Sequence, residues 1–463
     1  MKYRIARLLA VTLCIAIGKT IVACPFCTAV SQTLRQEMKQ MDAVAIAVRI
    51  QADSESISTF EIQRVIKGDQ FITDGQKVPM NYFGRAEAGE TFLVLGIDPP
   101  ELLWSSPLLL SEKAIEYVDR ITKLSEDNSV ERLKFYLQYL SETDPILARD
   151  VYDEFASASY SDMLLLKESY DRSWLLESIQ DVDMPPDRRR LYLVMLGICG
   201  QPEDAGVLEK MLRSDDPNQR SGLDALISCF ISLRGEDALG LVNELYLNNQ
   251  DSTYADTYSA IMALRFHGTD GGVVDRKNVA ESLRLMLDRP ELADLVIPDL
   301  ARWEDWSVIS KLADLFRDAD DKSSWVRVPV INYLRACPLP EAAKVIEELK
   351  ELDPVAYRRA TQFFPVPQPV DSESSSISLP SPTRGLAGDL PFHHWKDVPA
   401  ASLARSTAWG SGLARPVSRQ VNLPYLVSVI ASTCMTIWLA MWLAISGAGR
   451  VPSFFHLAIK NHE

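Results

Sequence analysis

From about residue 111 to residue 360, apolar residues recur every three or four positions, the period that places them on one face of an α-helix. The helical stretches are short and are punctuated by Gly, Pro and Asp, as in Gly200-Gln201-Pro202-Glu203-Asp204, Asp215-Asp216-Pro217-Asn218 and Pro338-Leu339-Pro340-Glu341. The pairs Leu196-Gly197, Leu233-Arg234, Leu264-Arg265, Ala301-Arg302 and Leu334-Arg335 each close a helix, at spacings of 37, 31, 37 and 33 residues. One unit reads as two helices, Ala205 to Arg213 and Arg220 to Leu233. A single helix pair cannot bury its own apolar face, so such units are expected to stack into an α-solenoid with a shared core.

Upstream the period changes. Ala43 to Ile50, Ser58 to Ile66, Lys77 to Phe83 and Thr91 to Ile97 carry the alternation and β-branched residues of strands. Lys67-Gly68-Asp69, Asp74-Gly75 and the stretch from Gly84 to Gly89 supply the turns, and Thr28 to Met41 reads as one amphipathic helix before them. The pattern predicts a mainly α chain with a small β-rich head over residues 24–107 and helical repeats over 108–362.

The two ends have a membrane pattern. Lys2, Arg4 and Arg7 precede an apolar run from Leu8 to Gly18, and small Ala23 precedes Cys24, which is the form of a secretory signal peptide over 1–23. Leu423 to Ser446 is a 24-residue uncharged apolar stretch containing Trp438 and Trp442. At 1.5 Å per residue it reaches roughly 36 Å, enough to span a bilayer with some tilt. A transmembrane helix is therefore expected over 422–447, with a short cytoplasmic tail over 448–463 and the bulk of the chain exported. Residues 361–420 hold eight Pro and ten Ser, so 363–421 reads as a flexible tether.

Composition narrows the possible chemistry. The net charge of −15 opposes broad nucleic-acid binding, which needs clustered cations. Seven Cys in 463 residues exclude a disulfide-dense scaffold. No Gly-rich phosphate loop, His-Glu-x-x-His or nucleophile elbow is present, and four of the five His lie in the tether or tail, which disfavours an ordinary hydrolase. No cofactor or metal is expected. His393 and His394, in Pro391-Phe392-His393-His394-Trp395, have no third ligand in sequence reach; a docking motif within the tether is the functional reading of that segment. His267 stands at a helix end, where a cationic imidazole is favourable. Cys199 and Cys337 occupy equivalent places about four units apart, too far to pair, and with Cys229 they read as small buried hydrophobes. Trp303-Glu304-Asp305-Trp306 and Trp325 read mainly as packing at an inter-helix turn, with an exposed aromatic pair for a partner as the functional alternative.

Cys24-Pro25-Phe26-Cys27 is the one motif that carries chemistry. It resembles a glutaredoxin active site, and Lys77-Val78-Pro79 resembles the cis-Pro loop of the thioredoxin superfamily. That resemblance implies an exposed nucleophilic Cys24, its pKa lowered by a following helix N-terminus, and Cys27 as resolving thiol. The fold it implies needs a strand entering the motif and a βαβ unit, whereas the signal peptide stands upstream and antiparallel strands follow. Ile21-Val22-Ala23-Cys24 also resembles a lipobox, so a disulfide, free thiols or a lipidated Cys24 all remain open.

Two further resemblances concern the fold. The sequence from Leu191 to Leu233 is similar to HEAT repeats, with Leu-Gly-x-x-Gly-x-Pro-Glu-Asp opening the first helix. Asp215-Asp216 before Arg220, and Asp320-Asp321 before Arg327, match the HEAT habit; the resemblance implies that such Asp and Arg residues pair between neighbouring repeats. Phe60 to Gly68 and Gly89 to Leu95 resemble strands of netrin-like OB-fold domains, although those domains bond their first cysteines to later ones and no Cys lies between 28 and 198 here. The whole chain resembles exported HEAT-repeat proteins of planctomycete-type bacteria, which implies no particular activity. The expectation is a non-enzymatic, single-pass protein of the cell envelope whose repeat surface binds a protein partner. The alternative is a membrane-tethered thiol–disulfide oxidoreductase using Cys24 and Cys27.

Overall fold

The computed structural model describes residues 24–27, 31–52, 56–85, 87–321 and 323–363. The expected signal peptide, membrane helix and tail, and all of the tether but its first residue, lie outside these residues. No helix among the described residues is long and apolar enough to cross a membrane. The chain is mainly helical, with an antiparallel sheet at its N-terminal end that curls nearly into a barrel.

A short helix, α1 (Leu34–Gln40), opens the described head. It is shorter than the periodicity predicts because Thr33 and Gln36 form a capping box that fixes its start. Six strands follow: β1 (Ala43–Ala52), β2 (Ile57–Lys67), β3 (Lys77–Asn81), β4 (Thr91–Ile97), β5 (Leu103–Trp104) and β6 (Leu108–Leu109). Their order is β3-β2-β1-β4-β5, with β6 also pairing with β4. Central β1 is buried on both faces, which explains its near-continuous apolar sequence. Ala43, Ala45 and Ala47 face a small core with Phe60, Phe92 and Val94, where Phe60 and Phe92 meet edge to face at 5.1 Å. Val44 and Ile46, on the opposite face, join the core of the helices. The change of pattern near residue 107 therefore marks a change of secondary structure and not a break in packing; the described residues form one compact unit.

The helices are α2 (Glu112–Ile121), α3 (Ser129–Leu137), α4 (Pro145–Ser157), α5 (Tyr160–Leu164), α6 (Arg172–Ser178), α7 (Pro186–Cys199), α8 (Ala205–Leu212), α9 (Leu223–Arg234) and α10 (Ala238–Val242). They continue as α11 (Tyr254–Phe266), α12 (Arg276–Arg284), α13 (Ile297–Arg302), α14 (Ile309–Asp318), α15 (Arg327–Ala336), α16 (Pro340–Leu352) and α17 (Pro354–Phe363). The five pairs that mark the period in the sequence fall in the last turns of α7, α9, α11, α13 and α15. Helix α9 packs between α7 and α11, and α15 packs between α13 and α17.

Arginine–aspartate pairs recur along the helices. Arg172 pairs with Asp204 at 2.6 Å, Arg190 with Asp224 at 2.9 Å, Arg220 with Asp256 at 2.8 Å and Arg265 with Asp299 at 2.7 Å. The sequence separations are 32, 34, 36 and 34 residues. The acidic partners differ from those that the HEAT resemblance implies. Arg220 bonds Asp256, and Arg327 bonds Asp353. Asp216 and Asp320 instead close their own turns, accepting from the Asn218 amide and the Ser323 hydroxyl. Buried Arg189 clips two turns together by donating to the carbonyls of Asp181 and Asn218.

Candidate functional site

Cys24 and Cys27 form a disulfide, with Cα atoms 5.4 Å apart. The bond consumes the Cys24 sulfur that lipidation would need. The environment differs from a thiol-exchange site in three ways. Cys24 is buried rather than exposed. Among the described residues the first helix begins at Leu34, seven positions beyond Cys27, and not at the motif itself. Pro79 sits within edge strand β3, opposite Thr59, where a missing N–H is tolerated, and not in a loop facing the cysteines.

The motif is instead the tip of an arm laid on the helices. The Cys24 amide donates to the Ala156 carbonyl at the end of α4, at 3.1 Å. Phe26, at 5 % exposure, enters a socket lined by Leu193, Val194 and Gly197 of α7 and by Ser228, Cys229 and Ser232 of α9. Its ring meets Phe266 of α11 edge to face at 5.3 Å, and Tyr160 meets the same Phe266 at 5.1 Å. Little space remains, about 10 Å³ for a water-sized sphere. Burial pushes the Tyr160 hydroxyl up to about 12 and the Cys229 thiol well above its ordinary value. Cys199, Cys229 and Cys337 are free and buried, and burial likewise pushes Cys199 up to about 11, as inert packing residues require.

The other end of the arm is held by polar groups. The Leu34 amide donates to Asp150 Oδ1 at 2.5 Å and the Tyr117 hydroxyl to Asp150 Oδ2 at 2.6 Å. Glu154, one turn further along α4, accepts from Tyr136 and lies 3.5 Å from Arg35 and 3.6 Å from Arg132. Burial raises the Asp150 carboxyl to about 6, against the opposing effect of its two donors. Nothing in the sequence signals this cluster, whose members are drawn from four helices.

His267 lies beside the socket and is neutral, not cationic. Burial lowers its pKa to about 4, and Nε2 donates to the Ser228 carbonyl at 3.0 Å. No group of three or more His, Cys, Asp or Glu that could hold a metal occurs among the described residues. The next residue is Gly268, and Trp303 packs so closely there that a Cβ on Gly268 would stand 2.3 Å from the indole. Trp306 packs edge to face on Tyr333 at 5.2 Å. The Trp303–Trp306 segment is thus a packing element.

Trp325 behaves differently. It is 47 % exposed, with its indole N–H donating to the Glu291 carbonyl at 3.3 Å. Asp294 lies near both Trp325 and Tyr254 and acts electrostatically on Tyr254. Tyr254 and Tyr258, one turn apart on α11, stack at 6.0 Å and stand 59 % and 39 % exposed. Tyr258 borders Arg265, which the carboxylate of buried Asp299 holds from below. This open aromatic face was partly legible in the sequence: two tyrosines at i and i+4 on the polar side of a helix are its signal, besides Trp325. No protein-family model, curated protein or solved structure matches the chain.

Proposed function

We propose that the chain is a non-enzymatic, membrane-anchored protein of the cell envelope whose HEAT-like helical array presents a binding face to a protein partner. The observation that carries the reading is the open aromatic face of Tyr254, Tyr258 and Trp325. Tyr and Trp are the residue types that dominate protein interfaces, because each supplies a large contact area at low entropic cost. The ladder of arginine–aspartate pairs at separations of 32 to 36 residues supports the repeat architecture, since one joint recurs from level to level. The antiparallel head takes the OB-like role of a β-rich cap. Leu423 to Ser446 supplies the anchor and the bulk of the chain is exported, an oxidising setting that suits a Cys24–Cys27 disulfide. Acidic Glu291 and Asp294 beside the aromatic face favour a partner whose contact strip is basic and apolar.

A photo-crosslinking residue in place of Tyr258, in cells expressing the full chain, tests this. A discrete protein adduct is expected, abolished by Trp325→Ala and not given by the same probe at Leu165, an exposed apolar position outside the row. Equal adducts from both positions would overturn the reading. Deleting Leu423 to Ser446 is expected to free a folded ectodomain into the soluble fraction; persistence in the membrane pellet would remove the single-anchor part.

A further inference from the structure

We infer that the Cys24–Cys27 loop is a redox-released plug. The socket between α5, α7, α9 and α11 is a binding site for an aromatic side chain, and the chain's own Phe26 occupies it only while the disulfide is intact. Several observations converge on this. The disulfide closes a four-residue loop with Phe26 near its tip, so it restricts the backbone that presents the ring. The socket walls come from residues between Tyr160 and Phe266, far along the chain from Phe26. The tip is a separate segment bound in place, like a ligand held in cis. Its described backbone contact with the helices is the single Cys24 amide bond to Ala156. Removing Phe26 would leave an apolar concavity between four helices, of the type that accepts an aromatic or aliphatic group from a partner.

The accessibility of the two sulfurs fits a controlled release. Cys27 is half-buried while Cys24 is buried, so an external thiolate reaches the Cys27 sulfur first. In that exchange a dithiol reductant bonds to Cys27 Sγ and the S–S bond breaks, with Cys24 leaving as the thiolate. The reductant's second thiol then displaces Cys27 and closes its own disulfide. The two electrons come from the dithiol, and its two protons end on Cys24 and Cys27. The reduced loop regains the backbone freedom that the bond removed, which weakens the hold on Phe26.

Cys229 provides the readout, because it is a free thiol that lines the socket and is buried beneath the tip. The full chain, in detergent, is treated with a small maleimide with and without a dithiol reductant, and each labelled cysteine is mapped by mass spectrometry. Reduction is expected to raise the labelling rate of Cys229 by about tenfold or more through local opening, while buried Cys337, in α15's closing turn, stays protected. Phe26→Ala is expected to expose Cys229 with the disulfide intact, and Cys24→Ser/Cys27→Ser to do so without reductant. If Cys24 and Cys27 label fully while Cys229 stays as protected as Cys337, the plug is not redox-released. If Cys229 and Cys337 become reactive together, the disulfide is a staple of the whole fold, and the inference also fails. Neither outcome bears on the crosslinking at Tyr258, so the plug and the partner face can fail separately.

Discussion

The molecule carries two aromatic clusters that share helix α11, one closed and one open. Around Phe26, the rings of Phe266 and Tyr160 meet edge to face in a site with almost no free space, and the socket is filled by the chain itself. Around Tyr258, the rings stack on the surface and no described segment covers them. Both clusters use helix α11, whose closing Phe266 points into the socket while Tyr254 and Tyr258 stand out on its first turns. One helix thus divides its aromatic residues between a packed site and an open surface. The closed cluster should govern folding and the open one should not, which makes the difference measurable.

Phe26→Ala is expected to give the largest effect. It empties a packed aromatic site, and such truncations cost about 3–5 kcal/mol where the site cannot collapse. Four helices, α5, α7, α9 and α11, wall the socket, so collapse is restricted. Chemical denaturation of the chain should show the loss as a lower midpoint. A cost no greater than that of Tyr258→Ala would erase the distinction between the clusters.

Asp299→Asn comes next. Asp299 is 1 % exposed and receives Arg265 at 2.7 Å and Arg302 at 2.8 Å. Neutralising it leaves two arginines without their shared anion, at a cost of roughly 3 kcal/mol. Because Arg265 borders Tyr258, this loss should also disorder the open face, read as faster amide exchange over α11. Unchanged exchange there would mean that the ladder and the face are independent.

A third test uses pH, because the two ends of the arm titrate in opposite senses. Asp150 has a folded pKa of about 6 against an ordinary 3.8, so between those values the folded chain holds a proton the unfolded chain has lost. Its contribution to stability rises as pH falls through 6 and is complete below 3.8. His267 has a folded pKa of about 4 against 6.5, so the unfolded chain takes the proton first and stability is lost as pH falls from 6.5 to 4. Each effect is on the order of 3 kcal/mol. In the parent chain they largely cancel. Asp150→Asn should therefore steepen the acid loss between pH 6.5 and 4, and His267→Gln should flatten it, in denaturant midpoints measured across that range. Parallel pH profiles for the two variants would show that neither group carries its shifted proton equilibrium.

Much of the scaffold was legible from sequence because it is local. The strands near Ala43, Ser58, Lys77 and Thr91 announced themselves by side-chain alternation between turns, and the helix ends by their landmark pairs. The burial of Cys199, Cys229 and Cys337 was equally legible, since each sits in an apolar helical pattern. What the sequence hid is the pairing of distant residues. The acidic turns at Asp215-Asp216 and Asp320-Asp321 looked like the partners of arginines in neighbouring units, but Arg220 bonds Asp256, which lies in no such turn, and Asp216 closes its own. His267 looked like a helix-end cation, yet the helix ends inside the molecule. The Cys24 motif looked like an enzyme's because its four residues are those of an active site. Its role is set by Ala156 and Phe266, more than 130 residues away, and no spacing within the motif encodes those contacts.

The smallest expected effect on stability is the most informative about function. Tyr258→Ala removes a ring that is 39 % exposed and stacked only on another exposed tyrosine, so the fold should lose no more than about 0.5 kcal/mol. The same holds for Trp325→Ala, where one indole hydrogen bond to Glu291 is replaced by water. Against a partner the balance reverses. A central aromatic anchor in an interface is worth about 2 kcal/mol or more, which is roughly a thirtyfold loss of affinity. Crosslinking yield at Tyr254 in Trp325→Ala cells, compared with thermal stability of the same variant, separates the two quantities. A stable variant that no longer captures its partner would place recognition on this face. A variant that loses stability and keeps its partner would show that the tyrosines and Trp325 are packing residues, and that the array binds elsewhere on its surface.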